Sequence, residues 1–344
     1  MKILITGGAG FFGDILKKTV LDNGHSCVSV DLQPDEFTHS CFTAIQADIR
    51  DTKTLESIFA SHHFDAVFHC AAILAHAVKD KKFLWTSNVD GTRNVRDMAI
   101  KYKVPKIVFT SSNCLWGVDM GRPVREDDKP KPVEMYGCSK WEAEKILLER
   151  IDAIDVVIFR CPTIIDSGRL GLLAILFAFI DEGRKVWVVG GGANRYQFIY
   201  APDLAGAFLK TLHFCGSDVF NIGSDGVSSF KEMYESVIKK SGTGARVASI
   251  HRSVAIPAMK LAYALGLSPI GPYQYKMIAE NFIFDTQKIK EKLHWKPSTT
   301  NKEMLWKAYE FYHVHRDMLE KRTHVSAHKQ PAKMGIIDLL KWLS

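Results

Sequence analysis

Residues 2–13 read KILITGGAGFFG, and this stretch decides the fold. The segment Lys2 to Thr6 has the composition of a buried parallel strand, and Phe11 to Asn23 has the periodicity of a helix. The turn between strand and helix, with the first helical turn, contains four glycines, at positions 7, 8, 10 and 13. A glycine-rich turn that joins a strand to a helix is typical of dinucleotide-binding proteins.

Steric contacts explain why these positions need glycine. A side chain at Gly8 or Gly10 would hold the backbone away from a pyrophosphate, and one at Gly13 would push the helix off the sheet. The N-terminus of the helix then offers N–H groups and the positive end of its dipole to the phosphates. The turn therefore predicts a dinucleotide-binding site.

The second predicted strand, Cys27 to Asp31, ends in an acid eighteen residues after Gly13. At this spacing a carboxylate can accept hydrogen bonds from the hydroxyls of the adenosine ribose. The residues that follow, Leu32, Gln33 and Pro34, include no arginine that could neutralise a 2′-phosphate. Asp31 therefore favours NAD over NADP, whereas the plainer alternative is an acid that ends a strand in solvent.

Strand and helix patterns alternate as far as Arg160, which predicts an α/β fold with a doubly wound parallel sheet. From about Ser167 the pattern becomes mixed and mostly helical. We predict a cofactor domain over 1–166, with parts of 183–223 returning to its sheet. A smaller substrate lobe over 167–318 and a basic tail over 319–344 complete the predicted organisation.

Bulk properties exclude several classes of protein. The chain has 344 residues, 47% of them hydrophobic, and a net charge of +7. Its N-terminal half has no basic cluster with interleaved aromatic residues, so we expect no nucleic-acid partner. The seven cysteines are scattered without metal-ligand spacing, so we expect no metal. The N-terminal strand leaves no room for a signal peptide, and no apolar run is long enough to span a membrane, so we expect a cytoplasmic protein.

Tyr136 and Lys140 lie four residues apart in the helical pattern EMYGCSKWEAEKILL, residues 134–148, so both side chains face one site. The ammonium of Lys140 can favour the phenolate of Tyr136 and so lower its pKa. A tyrosine of this kind can exchange a proton with a substrate hydroxyl while a nicotinamide exchanges the hydride. A surface pair without a function is the alternative.

Ser111 and Ser112 lie in the stretch IVFTSSNCLWG, residues 107–117, at the carboxyl end of a predicted parallel strand. Ligands of open α/β sheets bind at this edge, where a hydroxyl can hydrogen-bond the reacting oxygen. The alternative is that both serines satisfy backbone groups of a turn.

Over about residues 1–312 the chain resembles the extended short-chain dehydrogenase/reductases of the NAD-dependent epimerase/dehydratase family, which have a Rossmann-type fold. The resemblance rests on TGGAGFFG (6–13), ADI (47–49), HCAA (69–72), NVDGTRN (88–94), the Tyr136/Lys140 pair and RCPT (160–163). It implies catalytic roles for Ser112, Tyr136 and Lys140. The cofactor-binding residues that we expect are Gly7, Gly10, Phe11, Phe12, Gly13, Asp31, Leu32, Asp48, Ile49, Cys70, Ala71, Ala72, Asn88, Ser111, Tyr136, Lys140, Pro162 and Thr163.

Three departures from the family pattern bear on the substrate. Asn113 and Cys114 stand where the family's sugar dehydratases have Asp-Glu, so a 4,6-dehydratase is disfavoured. Tyr196 holds the position of the arginine that grips a substrate diphosphate in nucleotide-sugar epimerases, with Arg195 one place earlier. Thr163 replaces an asparagine that such enzymes often have.

We predict an NAD-dependent oxidoreductase or epimerase that acts on a secondary alcohol, most simply of a nucleotide sugar in a 4-epimerase-like reaction. Leu74, Asn113 and Arg195 are the candidate substrate contacts. One alternative is a dehydrogenase of a hydrophobic substrate, similar to the 3β-hydroxysteroid dehydrogenases, whose pocket the apolar segment 168–180 would line. Another is a sensor that binds NAD without catalysis.

The basic tail ends in Met334, Ile337, Leu340 and Leu343 at helical spacing. This pattern is compatible with a short interfacial helix on an anionic membrane, here the inner face. Docking on the body of the protein or on a second subunit fits the short segment equally well. We expect a homodimer.

Overall fold

The computed structural model describes residues 1–74, 80–267 and 271–320. Its main feature is a seven-stranded sheet with the strand order β10-β6-β5-β4-β1-β2-β3, in which every pair is parallel. The strands are β1 Lys2–Thr6, β2 Ser26–Asp31, β3 Phe42–Gln46, β4 Ala66–His69, β5 Lys106–Ser112, β6 Asp155–Cys161, β7 Thr163–Ile165, β8 Lys185–Val189, β9 Phe198–Tyr200, β10 Asp218–Asn221 and β11 Arg246–Ile250.

Helices connect these strands and cover the sheet. They are α1 Phe11–Asp22, α2 Thr52–Ser61, α3 Lys81–Trp85, α4 Gly91–Lys101, α5 Met135–Leu148, α6 Leu172–Asp181, α7 Ala201–Thr211, α8 Phe230–Ser241, α9 Arg252–Ala264, α10 Pro272–Met277, α11 Gln287–Lys292 and α12 Asn301–Glu320. A π-helical turn, Thr86–Asp90, joins α3 to α4.

The sheet is buried on both faces, as parallel sheets require. On one face, α1 and α7 pack against β1 and β6 through side chains such as Leu16 and Phe208. On the other face, α2, α4 and α5 pack against β2, β4 and β5 through side chains such as Leu55 and Leu147. The predicted doubly wound parallel sheet is therefore confirmed.

The strand order reverses at β1, which pairs with β2 on one side and with β4 on the other. Ligands of open α/β sheets bind outside the carboxyl ends of strands at such a switch point. The glycine turn follows β1 directly, and Ala71 and Ala72 follow β4. The fold thus brings two predicted cofactor segments to one crevice.

The C-terminal part has its own core, built from α6, α8, α12 and the short sheets β7-β9 and β8-β11. The strand β10 lies at the edge of the main sheet beside β6. The sequence did not indicate β7, β9 or β11, because a strand of three residues or a strand inside a mostly helical pattern gives almost no periodic signal. The predicted division into 1–166, 167–318 and 319–344 stays a prediction, and the predicted tail helix lies outside the described residues.

Within the described ranges, the structure has no helix with the length and apolarity that a membrane crossing needs. The same ranges contain no group of three histidine, cysteine or acidic side chains placed to share a metal ion.

We predict that Gly13→Ala lowers the free energy of unfolding by at least about 2 kcal/mol, because the new methyl would overlap backbone atoms. A Cβ at Gly13 would lie 2.1 Å from the Gly7 carbonyl oxygen and 2.7 Å from the Gly8 Cα. Urea denaturation of the two proteins measures this change.

Gly206 in α7 provides the matched control, because a Cβ there would have no atom within 4 Å apart from the adjacent residues and backbone of its own helix. Gly206→Ala should leave stability unchanged or raise it by about 0.5–1 kcal/mol, since alanine is the better helix former. Equal effects of the two substitutions would contradict the close approach at Gly13.

Candidate active site

The glycine turn is held between β2 and β4. Gly7 has a φ of +78°, and its N–H donates to the Val30 carbonyl at 2.7 Å. A Cβ at Gly7 would lie 2.7 Å from the Ala71 nitrogen, so the turn touches the segment after β4. A Cβ at Gly8 would meet the Ser29 hydroxyl at 2.0 Å. Gly8 is therefore needed for packing against β2. The sequence had instead suggested that Gly8 lets the backbone approach a pyrophosphate.

The carboxylate of Asp31 lies beside this turn. One oxygen accepts a hydrogen bond from the Ala9 N–H at 3.0 Å, and the other accepts from the Gln33 N–H at 2.9 Å. Burial raises the pKa of Asp31 above its ordinary value, although these backbone hydrogen bonds oppose the shift. Leu32, the next predicted contact, is partly exposed at the same edge.

Asp48, expected to contact the adenine, is paired with a neighbouring arginine. The Arg50 guanidinium donates to the Asp48 Oδ2 at 2.6 and 2.9 Å and to the Asp48 Oδ1 at 3.1 Å. Burial acts to raise the pKa of Asp48, but the hydrogen bonds and charge of Arg50 outweigh it and lower the pKa. Ile49 is buried against Gly91, where a Cβ would lie 2.7 Å from its side chain. Asp48 is thus an ionised acceptor with a fixed orientation.

His69, at the end of β4, is fully buried and neutral. Burial lowers its pKa to about 3. The Thr92 hydroxyl donates to the Asn88 carbonyl and therefore accepts from the His69 Nε2–H at 2.9 Å. Nδ1 then accepts from the Thr6 hydroxyl at 2.6 Å. This arrangement fixes β4 against β1 directly below Cys70, Ala71 and Ala72.

Asn88, which lies in the π-helical turn, clamps the segment after β4. Its carbonyl oxygen accepts from the Ile73 N–H at 2.7 Å, and its amide donates to the Ile73 carbonyl and to the Ser139 hydroxyl, both at 3.0 Å. Ser139 in turn donates to the Tyr136 carbonyl at 2.8 Å. Asn88 therefore links the predicted cofactor segment to the helix that holds Tyr136. Leu74, a predicted substrate contact, is half-buried at the end of this segment.

Ser111 and Ser112 end β5 and are both buried. The Ser112 Oγ accepts from the Cys114 N–H at 3.1 Å and also hydrogen-bonds the Tyr136 side chain. The Ser111 Oγ is buried and has no hydrogen-bond partner among the described residues. A buried hydroxyl without a partner is unfavourable in the isolated chain and points to a polar ligand atom.

Lys140 lies one turn after Tyr136 on α5 and is 2% exposed. Its ammonium lies 3.9 Å from the centroid of the Phe109 ring, and burial lowers its pKa to about 8. Burial raises the pKa of Tyr136, and the Ser112 hydroxyl opposes the shift. The expected lowering of the Tyr136 pKa is therefore not produced by Lys140 in the isolated chain, because desolvation of the phenolate outweighs it.

A buried ion pair fixes α5 to the sheet. The Arg160 guanidinium donates to the Glu144 carboxylate at 2.8 Å, and both side chains are almost completely buried. Arg160 begins RCPT, which leads into Pro162 and Thr163, so this pair sets the distance between that segment and the Tyr136 helix.

Tyr196 is engaged with neighbouring side chains rather than placed to hold a diphosphate. Its hydroxyl accepts a hydrogen bond from the Asn113 amide and shares a 2.7 Å hydrogen bond with the Tyr273 hydroxyl. Arg195 is exposed on the other side of the chain, where its charge acts on Glu232. The structure thus brings Asn113 to Ser112 but does not bring Arg195 there, because adjacent residues of an extended segment point in opposite directions.

Arg169 is a site residue that the motifs did not reveal. Its guanidinium lies 5.6 Å from the centroid of the Phe11 ring, at the start of α1, and its charge acts on Tyr136. The Arg169 Nε is buried and has no hydrogen-bond partner in the described structure. Burial lowers the pKa of Arg169 to about 10. A signal was present in the sequence GRLG, where Gly168 and Gly171 take positive φ and fix the turn around Arg169.

We predict that Lys140→Met stabilises the protein at pH 7 by up to about 3 kcal/mol, since it removes a buried charge whose pKa is lowered. The pKa of Lys140 in the folded chain is about 8, and the ordinary pKa of lysine is 10.5. The unfolded chain therefore binds more protons between these values, so the parent regains stability as the pH rises through that window. The difference between the two proteins should shrink over the same window.

Denaturant titrations across this pH range measure the effect, with Lys145→Met on the exposed side of α5 as the control. A pH-independent difference, or a Lys140→Met protein less stable than the parent at pH 7, would contradict the buried-charge description.

Three comparisons with known proteins agree with this geometry. The model of the "NAD dependent epimerase/dehydratase family" matches residues 3–223. A solved structure of UDP-glucose 4-epimerase from Thermotoga maritima superimposes with a TM-score of 0.76 at 24% identity, covering 93% of this chain and 100% of that one. This likeness confirms the fold.

Three relatives are similar in sequence. An uncharacterized protein of Sinorhizobium fredii is 35% identical over 98% of this chain and 85% of its own length. A putative UDP-glucose 4-epimerase of Methanocaldococcus jannaschii is 28% identical over 70% of this chain and 82% of its own length. The N-acetyl-alpha-D-glucosaminyl-diphospho-ditrans,octacis-undecaprenol 4-epimerase of Escherichia coli O157:H7 is 29% identical over 81% of this chain and 80% of its own length.

The glycine turn at the switch point, the serine, tyrosine and lysine beside it and these matches lead to one conclusion. The chain belongs to the NAD dependent epimerase/dehydratase family.

Proposed function

We propose that the protein is an NAD-dependent 4-epimerase of a sugar carried on a diphosphate, most simply a nucleotide sugar. One observation carries the proposal. The Ser112 hydroxyl and the Tyr136 phenol are hydrogen-bonded at the carboxyl end of β5, with the Lys140 ammonium one helical turn further on. The curated relatives named as 4-epimerases support the reaction type.

The described residues fit a bound NAD. The crevice at β1 and β4 is closed to side chains at Gly7 and Gly13, which leaves backbone N–H groups to face phosphates. Asp31 presents an acceptor for the ribose hydroxyls, and the buried Ser111 hydroxyl lacks a partner. When bound, NAD supplies a hydride acceptor that can return the hydride. We propose that the other residues predicted from the sequence as cofactor contacts also bind NAD.

The side chains of the chain itself would handle the proton. Tyr136, in hydrogen-bond contact with Ser112, is placed to take the proton of a substrate hydroxyl and to return it to the same oxygen once the carbon has been reduced from its other face. Ser112 would hold the reacting oxygen. The Lys140 ammonium would favour the phenolate form of Tyr136 that accepts this proton, because the charge is buried and poorly screened.

The two positions that follow Ser112 supply no acid for the elimination of water. Cys114 stands where a dehydratase needs a proton donor, and burial raises the pKa of its thiol to about 12. The Asn113 amide is engaged with the Tyr196 hydroxyl. A reaction that starts and ends with an alcohol suits these residues better.

A second candidate substrate is a sugar joined through a diphosphate to a polyprenol, as in the name of the Escherichia coli relative. The observation that favours it is a cavity of about 600 Å³ on the C-terminal lobe, lined by Arg252, Lys260 and Lys276 together with apolar side chains of α9. The helix α10 contributes Tyr275 and Lys276 to this cavity and Tyr273 to the Asn113 network.

We also propose the homodimer, the domain division and the peripheral contact of the tail that the sequence indicated. Gel filtration with light scattering measures the oligomeric state and so tests the homodimer.

We predict that Tyr136→Phe lowers the rate of 4-epimer formation about 10²–10⁴-fold, since it removes the proton carrier. NAD affinity should stay within about twofold, because the ring is retained. NMR of UDP-glucose, UDP-galactose and their N-acetyl forms measures the rate, and calorimetry measures NAD binding. Tyr102→Phe, which follows α4 near the amino end of β5, is the control. Full activity of Tyr136→Phe would refute the proposed role.

We predict that Arg169→Gln weakens ADP-ribose binding about tenfold or more, because this half-buried cation near the start of α1 would face the pyrophosphate of the bound cofactor. Adenosine, which has no phosphate, should bind both proteins equally. Arg150→Gln, exposed after α5, is the control. Unchanged ADP-ribose affinity in Arg169→Gln would exclude this contact.

A further inference from the structure

The helix α9 leaves several large apolar side chains exposed. Its least exposed positions are the buried Ala255 and Ala262 and the half-buried Ile256 and Met259, whereas Val254, Leu261 and Leu265 are 61%, 62% and 62% exposed. At 3.6 residues per turn these three positions form one stripe, which we term the α9 face. Globular proteins turn their larger apolar side chains inward, so this face is built for contact with something apolar.

The apolar exposure is concentrated in this part of the molecule. Tyr263 and Leu267 are also exposed, so five of the fourteen large apolar side chains that the described structure exposes fall within residues 254–267. This density exceeds what isolated surface apolar residues produce, and it marks an interaction surface.

The charge of the same region has one sign. Residues 236–279 contain six lysines and arginines and no acidic residue, in a chain whose net charge is +7. Two copies of the chain that met through the α9 face would bring these like charges together. A neutral apolar partner would make no use of them. An apolar stripe within a basic segment is complementary to an anionic lipid surface.

The cationic cavity adjoins the α9 face. Its lining includes Arg252 and Lys260 of α9 and Lys276 of α10. Lys260 lies 5.9 Å from the centroid of the Tyr275 ring, and Lys276 donates to the Gly117 carbonyl at 2.6 Å. The acid of this cavity is Glu280, which pairs with Arg252 at 3.1 Å. Two lysines without an acidic partner in the described structure therefore remain beside the exposed stripe.

We propose that the α9 face docks on an anionic lipid bilayer, with Val254, Leu261 and Leu265 at the boundary of headgroups and acyl chains. Arg252 and Lys260 then lie at the level of the headgroup phosphates. The proposal does not rest on the proposed reaction, since every observation behind it lies on α9 and its surroundings. It would place the opening of the cavity at the membrane surface.

Sedimentation of the full chain with vesicles tests the proposal. Vesicles of phosphatidylcholine and phosphatidylglycerol should bind the parent, and vesicles of phosphatidylcholine alone should bind it weakly. The double substitution Leu261→Glu and Leu265→Glu should lower the partition coefficient about tenfold or more, because it places two anions in the apolar stripe. Lys260→Gln should reduce the preference for phosphatidylglycerol.

Ile151→Glu is the matched control, since Ile151 is an exposed apolar residue that follows α5. Circular dichroism confirms that each variant is folded, and epimerisation of a water-soluble UDP-sugar reports separately on the catalytic groups. Absence of binding to the anionic vesicles overturns the proposal. Equal binding of the parent and the double variant also overturns it, because the basic tail is intact in both proteins.

Discussion

The structure depends on the close approach between the glycine turn and its neighbours. Gly13 brings α1 against the backbone of Gly7, and Gly7 touches the segment after β4. Neither contact leaves room for a Cβ, so the crevice at the switch point exists only because both positions lack side chains. The register of β1 with β2 and β4, the orientation of α1 and the place of Asp31 beside the turn all follow from it.

The other half of the site is set by buried charge. Three cations of the site are poorly solvated: Lys140, Arg160 and Arg169. The charge of Arg160 is compensated by its ion pair with Glu144. Lys140 has an aromatic ring as its neighbour, and the Arg169 Nε has no hydrogen-bond partner in the described part of the chain. Such groups lower stability in the isolated protein and gain favourable partners when an anion or an ionised tyrosine is present.

Much of this could be predicted from the sequence because the signals are local. The strand, glycine turn and helix at residues 2–23 and the four-residue spacing of Tyr136 and Lys140 each lie within one short segment. Contacts between distant segments could not be predicted. The Asn88 clamp depends on a π-helical turn, the Tyr196 hydroxyl meets Asn113 across 83 residues, and the packing of Gly8 against Ser29 requires the β1-β2 register. The exposed stripe of α9 was missed because the composition of this helix resembles that of a packed helix, and exposure is known only once its neighbours are placed.

The central claim is that one closed site oxidises and re-forms the same alcohol of a sugar. A UDP-sugar that carries deuterium at the epimerised carbon tests this claim most directly, with mass spectrometry of the epimer. If the claim is correct, the epimer retains the deuterium in ordinary water and no reduced nicotinamide accumulates. Loss of the deuterium to solvent, or oxidised product in proportion to reduced nicotinamide, would contradict it.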